Sequence, residues 1–410
     1  MRQLSLLSLL IWLCLLSSCA TYPTQNLPAL SAFYNGDFEK SALTLEKPSQ
    51  EDTKDQLLYL LDRGMALQLS GRYKDSYKDF LKADKMSEVK DYTSLSTEAA
   101  TLFTSDNIKQ YKGEDFEKVL ISAYLAIDYL LNGEFEDALV ECRRVNEKLY
   151  KYKYEAKRDY EQNPFARYLS AVIWEASGKL EDAYIDYKET AKLAPEFPYL
   201  KYDLMRLSKQ LSRPEDLKIW NKRYGDLEVP SRKEESKNGE VILIYQQGKS
   251  AVKQPNPASP RFPKFFPRYS QTQSARLEIA GAGSAQLSEK IYSVSDVAIK
   301  TLDDAYAGLI AKRAAGIAAK AVVADQVRQK NELLGMLTWI GLNAIDQADI
   351  RHWSTLPESL QFIRMHIPPG AHKVKVLGLD SSGNPSGEQK EFDVIAVAGK
   401  KNFLTWRSLK

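Results

Sequence analysis

Two stretches decide the fold of the first half of the chain, NGEFEDALVECRRV at 132–145 and SGKLEDAYIDYKETAKLAP at 177–195. The same pattern occurs in YNGDFEKSALTL at 34–45 and in SGRYKDSYKDFLKAD at 70–84. In each stretch a glycine is followed by an apolar residue two positions on, a small residue five positions on and a large residue nine positions on. A self-match at this spacing predicts repeated helix–turn–helix units.

The units resemble the tetratricopeptide repeat (TPR), which has about 34 residues. When the loop glycine is placed at position 15, small residues fall at position 8, namely Gly64, Ala126 and Ala171. Position 24 is then taken by the large residues Phe80, Cys142 and Tyr187. Pro195 falls at position 32, where the second helix must end. The sequence therefore predicts an all-α TPR-like helical repeat, an α-solenoid, over 27–230.

The spacing of the units is irregular, with glycine-to-glycine intervals of 35, 62 and 45 residues. The long interval has room for an extra helix pair at about 91–117. The last interval predicts a lengthened second helix that carries the alternating run from Tyr150 to Tyr154. Alternation of basic and aromatic residues can indicate nucleic-acid binding, but we interpret this run as a solvated helix face.

The first helix of each unit is expected to line a concave groove, as the resemblance to the TPR implies. The partner-binding residues predicted there are mostly apolar and comprise Leu58, Leu61, Met65, Gln68, Leu69, Leu120, Ile127, Leu131, Phe165 and Tyr168. Either an amphipathic helix of a partner lies in this groove, or inserted helices of the chain itself fill it, because apolar patches of this size are rare on monomers. The second interpretation is favoured.

The N-terminus predicts a secreted lipoprotein. Arg2 precedes an apolar run at 4–16, which is too short to span a bilayer and is typical of a secretory signal. The run ends in Leu16-Ser17-Ser18-Cys19, which resembles a bacterial lipobox. We therefore expect a signal peptide at 1–18, acylation of Cys19, a lipidated tether at 19–26 and location in the outer membrane on its periplasmic side, because Ala20 is not the aspartate that retains lipoproteins in the inner membrane.

Composition excludes several classes of function. The 410 residues are 44% hydrophobic and 27% charged, which is compatible with two or three folded domains. A net charge of +3 gives no electrostatic case for nucleic-acid binding. Three histidines and three cysteines, without HExxH, paired metal-ligand spacing or a GxSxG elbow, argue against a metal site, a cofactor and most enzymes. Cys142 is expected to be a buried apolar residue.

The second half, 238–410, is expected to be a separate α+β domain with antiparallel strands. The charge-free run after Glu240 predicts a buried strand over 240–248, while five prolines exclude a helix or central strand at 253–269. In that loop, Phe262, Phe265 and Phe266 either dock to a partner or to lipid headgroups, or pin the loop to the body.

Further elements of this domain follow from the pattern of the sequence. A hairpin is predicted around Gly281-Ala282-Gly283, helices over 297–345, and a terminal hairpin in the last forty or so residues. An alanine ridge from Ala307 to Ala319 favours close helix packing. The uncharged run at 333–345 is shorter than the roughly 20 residues that cross a membrane, and we expect a core helix.

The chain is similar to a family of mostly uncharacterised bacterial outer-membrane lipoproteins with TPR-like repeats. The resemblance rests on 112–149, 163–197 and ADIRHWSTLPESLQFIRMHIPPGAH at 348–372. It implies that the protein accompanies other envelope proteins or lipoproteins. We therefore expect a lipid-anchored scaffold or adaptor of the cell envelope, and the sequence identifies no small-molecule substrate. Two alternatives stay open: an accessory subunit of an export or surface-assembly machine, and an enzyme that acts on cell-wall polymer.

Overall fold

The computed structural model describes residues 22–88, 109–154, 162–279, 284–344 and 347–410. After a short helix α1 (Tyr22–Gln25), the first half is built from antiparallel helix pairs. Their bounds are α2 Leu27–Tyr34 with α3 Phe38–Gln50, α4 Gln56–Leu69 with α5 Tyr73–Glu88, α6 Asp115–Leu131 with α7 Phe135–Tyr154, α8 Pro164–Ala176 with α9 Leu180–Leu193, and α10 Pro198–Gln210 with α11 Pro214–Tyr224. These antiparallel helix pairs confirm the predicted TPR-like helical repeat.

The turn of each predicted unit depends on its glycine. Gly36, Gly71, Gly133 and Gly178 all have φ near +80°, which residues with a Cβ rarely adopt. The close crossing expected at position 8 is also present, because a Cβ on Gly64 would lie 2.8 Å from the Phe80 ring. Both features confirm the alignment of the repeat.

The pair α10–α11 is a further unit that the glycine pattern misses. Its turn contains Ser212, whose φ is +53°. Among the described residues, Ser212 is the one non-glycine residue with a positive φ. Serine here occupies the place that glycine takes in the other units, so a search for glycine could not find it.

Gly71→Val is expected to destabilise the repeat by about 1 kcal/mol or more, because φ is +83° and valine disfavours that conformation. No atom lies within 4 Å of a Cβ built on Gly71, so a clash would not contribute. The midpoint of thermal unfolding measures the effect. Gly308→Val, at an open helical position, is the control and should leave the midpoint unchanged.

Several predictions at the edges of the repeat need correction. Tyr22 and Asn26 are 1% and 3% exposed, so the predicted tether at 19–26 is wrong beyond residue 21. Of the predicted extra helix pair, 91–108 lies outside the described residues and 109–114 is not helical. The 20-residue α7 confirms the lengthened second helix, and α9 ends at Leu193 as Pro195 predicts.

The second half is a two-layer β-sandwich with a helical hairpin. After a short helix α12 (Arg232–Glu235), its elements are β1 Gly239–Gln247, β2 Val252–Asn256, β3 Ser259–Phe266, β4 Ser274–Ile279, β5 Ala285–Leu287, β6 Glu289–Ser293, α13 Val294–Arg328, α14 Glu332–Ala344, β7 Ser359–Ile367, β8 Gly370–Leu379, β9 Pro385–Ala396 and β10 Lys401–Arg407. One sheet has the order β10-β1-β7-β6, the second β5-β4-β8-β9, and β2–β3 form a separate ribbon.

The strand β1 shows how the two halves are joined. Val241, Leu243 and Tyr245 point into the core between the two sheets. Ile242 and Ile244 point the other way and belong to the same hydrophobic cluster as the helical repeat. Because strand side chains alternate between faces, one face of the first sheet packs in the sandwich and the other packs on the repeat. The second half thus has the predicted α+β architecture and a core of its own between the sheets, and it shares a further hydrophobic cluster with the helical repeat.

Other sequence predictions for the second half have mixed outcomes. The hairpin β4–β5 and the terminal hairpin β8–β9 are confirmed, although the predicted turn at 281–283 lies outside the described residues. The proline-rich stretch forms the two-stranded ribbon β2–β3, in which Pro255 faces Pro263. β10 pairs in parallel with β1, which the prediction of antiparallel strands did not include.

Candidate functional site

The concave groove of the repeat is occupied by the protein's own sheet. Of the predicted partner-binding residues, Leu69 and Leu131 are half-buried, and the remainder are at most 1% exposed, comprising Leu58, Leu61, Met65, Gln68, Leu120, Ile127, Phe165 and Tyr168. Phe362 of β7 stacks on Phe165 with ring centroids 5.2 Å apart. The groove is therefore closed to a partner in this structure, and its occupant is the first sheet rather than the inserted helices that we expected.

Polar contacts continue this interface across the centre of the groove. Gln246 of β1 donates to Gln68 Oε1 at 3.2 Å and accepts from the Tyr124 hydroxyl at 3.3 Å. Gln68 in turn donates to Asp128 at 2.8 Å. Because buried polar groups are costly when unpaired, these bonds select the register in which the sheet lies on the helices.

An extended segment, Asp349–Pro357, fills the other end of the groove, and we call it the strap. Trp353 is 1% exposed and packs against both Phe80 and Tyr124, with ring centroids 5.7 and 5.6 Å away. At its start, Arg351 donates to Asp55 at 3.0 Å and to Asp349. The strap therefore occupies the groove as a bound peptide would.

Buried carboxylates of the repeat hold the backbone of the strap. Asp62 of α4 accepts from the backbone and hydroxyl of Thr355, at 3.0 and 2.8 Å, and from the Tyr22 hydroxyl at 2.7 Å. Glu117 of α6 accepts from the backbone N–H of Trp353 at 2.8 Å and from the Tyr111 hydroxyl at 2.6 Å. Burial raises the pKa of Asp62 to about 6 and that of Glu117 to about 7, although these hydrogen bonds lower both.

Glu117→Gln is expected to weaken the pH dependence of stability. The pKa of Glu117 is about 7 in the folded protein, and its ordinary value is 4.5. Between pH 4.5 and 7 the folded state therefore retains a proton on this carboxyl that the unfolded state has lost. The stabilisation is complete below pH 4.5 and is lost as the pH rises to 7. Chemical denaturation across this range should show that the variant loses about 3 kcal/mol less than the wild type.

Glu215→Gln, at an exposed position on α11, is the control for this change. It should follow the wild-type pH profile. If Glu117→Gln follows that profile as well, Glu117 is already ionised in the folded protein at pH 5.

A closed ring of six ionic side chains joins the repeat to the sheet, and we call it the charged ring. Its members alternate in sign around the ring and are Glu175, Arg206, Asp203, Arg364, Glu240 and Lys401. Three come from α8 and α10, and three from β1, β7 and β10. Each member contacts two members of opposite charge.

The geometry of the charged ring is tight. Arg364 lies 2.8 Å from Asp203 Oδ2 and 2.6 Å from Glu240 Oε1, and its Nη1 also donates to the Tyr168 hydroxyl at 2.7 Å. Burial opposes ionisation of Glu240, but Arg364 and Lys401 outweigh it and hold the pKa of this carboxyl well below its usual range. The pKa of Glu175 is also lowered, since Arg206 and Lys401 outweigh its burial. These carboxylates therefore stay ionised and serve to join elements.

A cavity of about 960 Å³ opens beside the charged ring. Its wall also contains Tyr199, Tyr202, Glu235 and His366. Because every charge of the ring already has partners of opposite sign, this arrangement is suited to holding the sheet in the groove rather than to transferring protons to a substrate.

The remaining predicted residues have structural surroundings. Phe262 packs on Tyr306 of α13 at 5.6 Å, Phe265 is buried against His352 at 5.8 Å, and Phe266 is half-buried. These contacts favour the interpretation that the phenylalanines pin the ribbon. Cys142 is buried, as expected. Among the described residues, no group of three or more His, Cys, Asp or Glu side chains is arranged to hold a metal ion.

The helix α14 contradicts the prediction of a core helix. Its large apolar side chains are between 38% and 63% exposed and comprise Leu333, Leu334, Met336, Leu337, Trp339 and Ile340. The alanine ridge is also largely uncovered, since Ala307, Ala311 and Ala315 are exposed. Across the described ranges, no helix combines the length and the apolarity that a membrane span requires.

A second exposed feature runs along the outer helices of the repeat, and we call it the outer row. The seventh residue after each turn residue is aliphatic and about half exposed in four units, namely Leu43, Val140, Ile185 and Ile219. In the unit of α4 and α5 this place is taken by Lys78, and Leu81 one turn later is 37% exposed. Isolated exposed aliphatic residues are ordinary, but recurrence at one repeat position is a pattern that the glycine alignment could have revealed.

These features define a TPR-like helical-repeat protein whose groove is filled by its own β-sandwich. The solved structures that resemble it include MamA from Desulfovibrio magneticus RS-1, at 16% identity and a TM-score of 0.32 over 48% of this chain and 86% of that one. A putative kinesin light chain of Podospora anserina with TPR-like repeats matches at 14% identity and a TM-score of 0.32, over 48% and 90% of the two chains. No protein-family model and no curated protein matches the chain.

Proposed function

We propose that the protein is a lipid-anchored scaffold on the periplasmic side of the bacterial outer membrane, which binds other envelope proteins and acts in assembly or maintenance of the cell envelope. The outer row is the observation that carries this proposal. Its four aliphatic side chains recur at one position in four of the five described repeat units, so a partner can contact several units at once. Partner binding is thereby assigned to the outer helices, because the groove is occupied.

The N-terminus supports the anchoring part of the proposal. Tyr22 is buried and its hydroxyl donates to Asp62, so a residue only three positions after Cys19 already belongs to the folded body. Three residues reach about 10 Å at most. Acyl chains on Cys19 would therefore hold the repeat directly at the membrane surface, which raises the local concentration of its partners.

Cys19→Ala is expected to abolish labelling of the protein by radioactive palmitate and to release it from the membrane fraction. The thiol of this residue is the acceptor of the proposed acyl chains, and Cys142 is buried. Cys142→Ala should retain full labelling. Continued labelling of Cys19→Ala would refute the lipoprotein assignment.

The scaffold itself is tested by crosslinking in cells followed by mass spectrometry of the copurified proteins. We expect a dominant partner crosslinked to the outer helices and its loss in Ile185→Asp/Ile219→Asp. Ile395→Asp, at a residue 74% exposed on β9, is the matched control. A partner that crosslinks unchanged to the double variant would refute the role of the outer row.

A further inference from the structure

The hairpin of α13 and α14 presents an apolar face to solvent. α13 has 35 residues and is about 52 Å long, and α14 packs on its distal part, where Gly316, Lys320 and Ala324 are buried. Leu333, Met336, Leu337 and Ile340 follow the i, i+3, i+4, i+7 spacing that places side chains on one face of a helix. Soluble monomers rarely expose such a face without a function.

The length of α14 determines how it could contact a bilayer. Its 13 residues extend about 20 Å, which is less than the roughly 30 Å of the hydrocarbon core. A helix of this length can lie in the plane of the interface with its apolar face towards the acyl chains. Trp339, 38% exposed on the same helix, is of the residue type that is enriched at this depth.

The distal part of the hairpin, where α14 packs on α13, has an excess of basic charge. Between 312 and 344 the chain has five basic residues, of which Lys320 is buried, against two acidic residues; these are Lys312, Arg313, Lys320, Arg328 and Lys330, and Asp325 and Glu332. The whole hairpin, 294–344, has six basic and five acidic residues, so the excess is confined to this distal part. An excess of basic charge near an exposed apolar face attracts anionic headgroups. This net charge distinguishes a lipid surface from an uncharged apolar partner.

A series of contacts joins the segment after α14 to the start of the described chain. The rings of Tyr22 and Tyr59 are 4.9 Å apart, and Asp55, one turn before Tyr59, binds Arg351 at 3.0 Å. Asp349, the other partner of Arg351, follows the end of α14 by five residues, a span of at most about 18 Å. The segment after α14 is thus linked to the helix α4, which also contacts Tyr22.

We propose that the apolar face of α14 lies in the interface of an anionic phospholipid bilayer and forms a second attachment in addition to the acyl chains of Cys19. Its location rests on the proposed lipid anchor, whereas its affinity for lipid is a property of the hairpin alone. Two attachments would fix the orientation of the repeat relative to the membrane, which a single tether cannot do.

The test uses the mature chain with Cys19→Ala, so that acyl chains contribute nothing. We expect it to sediment with vesicles of equal parts phosphatidylcholine and phosphatidylglycerol, more weakly with phosphatidylcholine alone, and less at high salt. Leu333→Gln/Leu337→Gln should bind about tenfold more weakly or worse, because both side chains would leave the acyl region. Ile395→Gln/Val397→Gln, exposed on the sandwich, should bind as the parent does.

Other outcomes would overturn the proposal. Absence of sedimentation with either vesicle refutes it, as does binding that the α14 double variant leaves unchanged. The alternative occupant of the face is a second copy of the protein, and sedimentation velocity tests for it. A concentration-dependent dimer that dissociates in Leu333→Gln/Leu337→Gln, in a protein that does not bind vesicles, would show that a second copy covers the face. Crosslinking through the outer row is measured on a different surface, so either proposal can fail while the other holds.

Discussion

Arg364→Leu is expected to lower the free energy of unfolding by about 3–5 kcal/mol, because it removes one of the two cations that each of two buried carboxylates contacts. Arg364 is buried and contacts Asp203 and Glu240 at 2.8 and 2.6 Å. The penalty should shrink as the pH falls towards 4, since protonation removes the uncompensated charges. Denaturant unfolding at several pH values measures both effects.

Two comparisons separate this loss from a general effect of removing an arginine. Glu240→Gln in the Arg364→Leu background should recover part of the stability, because one of the stranded charges is then absent. Lys373→Leu removes one member of an exposed ion pair with Asp393 and should leave the unfolding midpoint unchanged. If Arg364→Leu also leaves the unfolding midpoint unchanged, the sheet does not depend on the charged ring for its place in the groove.

The helical repeat could be predicted from the sequence because its determinants are local. The loop glycines, the small residues at position 8 and the proline after the last predicted helix each act within one helix pair, and each is found in the expected place. The pair α10–α11 escaped because Ser212 adopts the positive φ that glycine adopts elsewhere. The turn residue thus has a positive φ in Ser212's unit as in the units that the glycines identify, although the residue itself differs.

The contents of the groove could not be predicted because they depend on distant pairing. Glu240 and Arg364 are 124 residues apart and meet only when β1 pairs with β7. β1 reads in the sequence as a buried strand, which is true, but alternation alone does not show that its two faces lie in different layers. The apolar run of α14 is ambiguous for a related reason, since composition indicates hydrophobicity and not which surface covers it.

The outer row shows an intermediate case. The alignment that identifies the repeat also numbers its positions, so the recurrence of aliphatic residues seven places after the turn is present in the sequence. Its meaning requires the structure, because an aliphatic residue at a helix position is more often buried than exposed. Because Ile185 and Ile219 are 56% and 57% exposed in the structure, the repeated aliphatic position is a candidate binding surface.

Trp353→Ala is expected to lower the free energy of unfolding by about 3–5 kcal/mol, the usual range for removing a large buried aromatic side chain. The indole packs against the rings of Phe80 and Tyr124, and its Nε1 donates to Thr355 at 3.1 Å. Trp353→Phe retains a ring but loses that hydrogen bond, so its loss should be smaller. Trp339→Ala, at the partly exposed tryptophan of α14, should cause a smaller loss, because 38% of that side chain is already in contact with solvent.

The comparison of these variants decides whether the strap fills the groove in solution. If it does, Trp353→Ala should also increase hydrogen exchange in α4 and α6, because these helices supply Asp62 and Glu117, which hold the backbone of the strap. If Trp353→Ala is as mild as Trp339→Ala and exchange is unchanged, the strap is not bound in the groove. The groove residues beneath the strap would then be accessible, and a partner's amphipathic helix would again be the best candidate for their ligand.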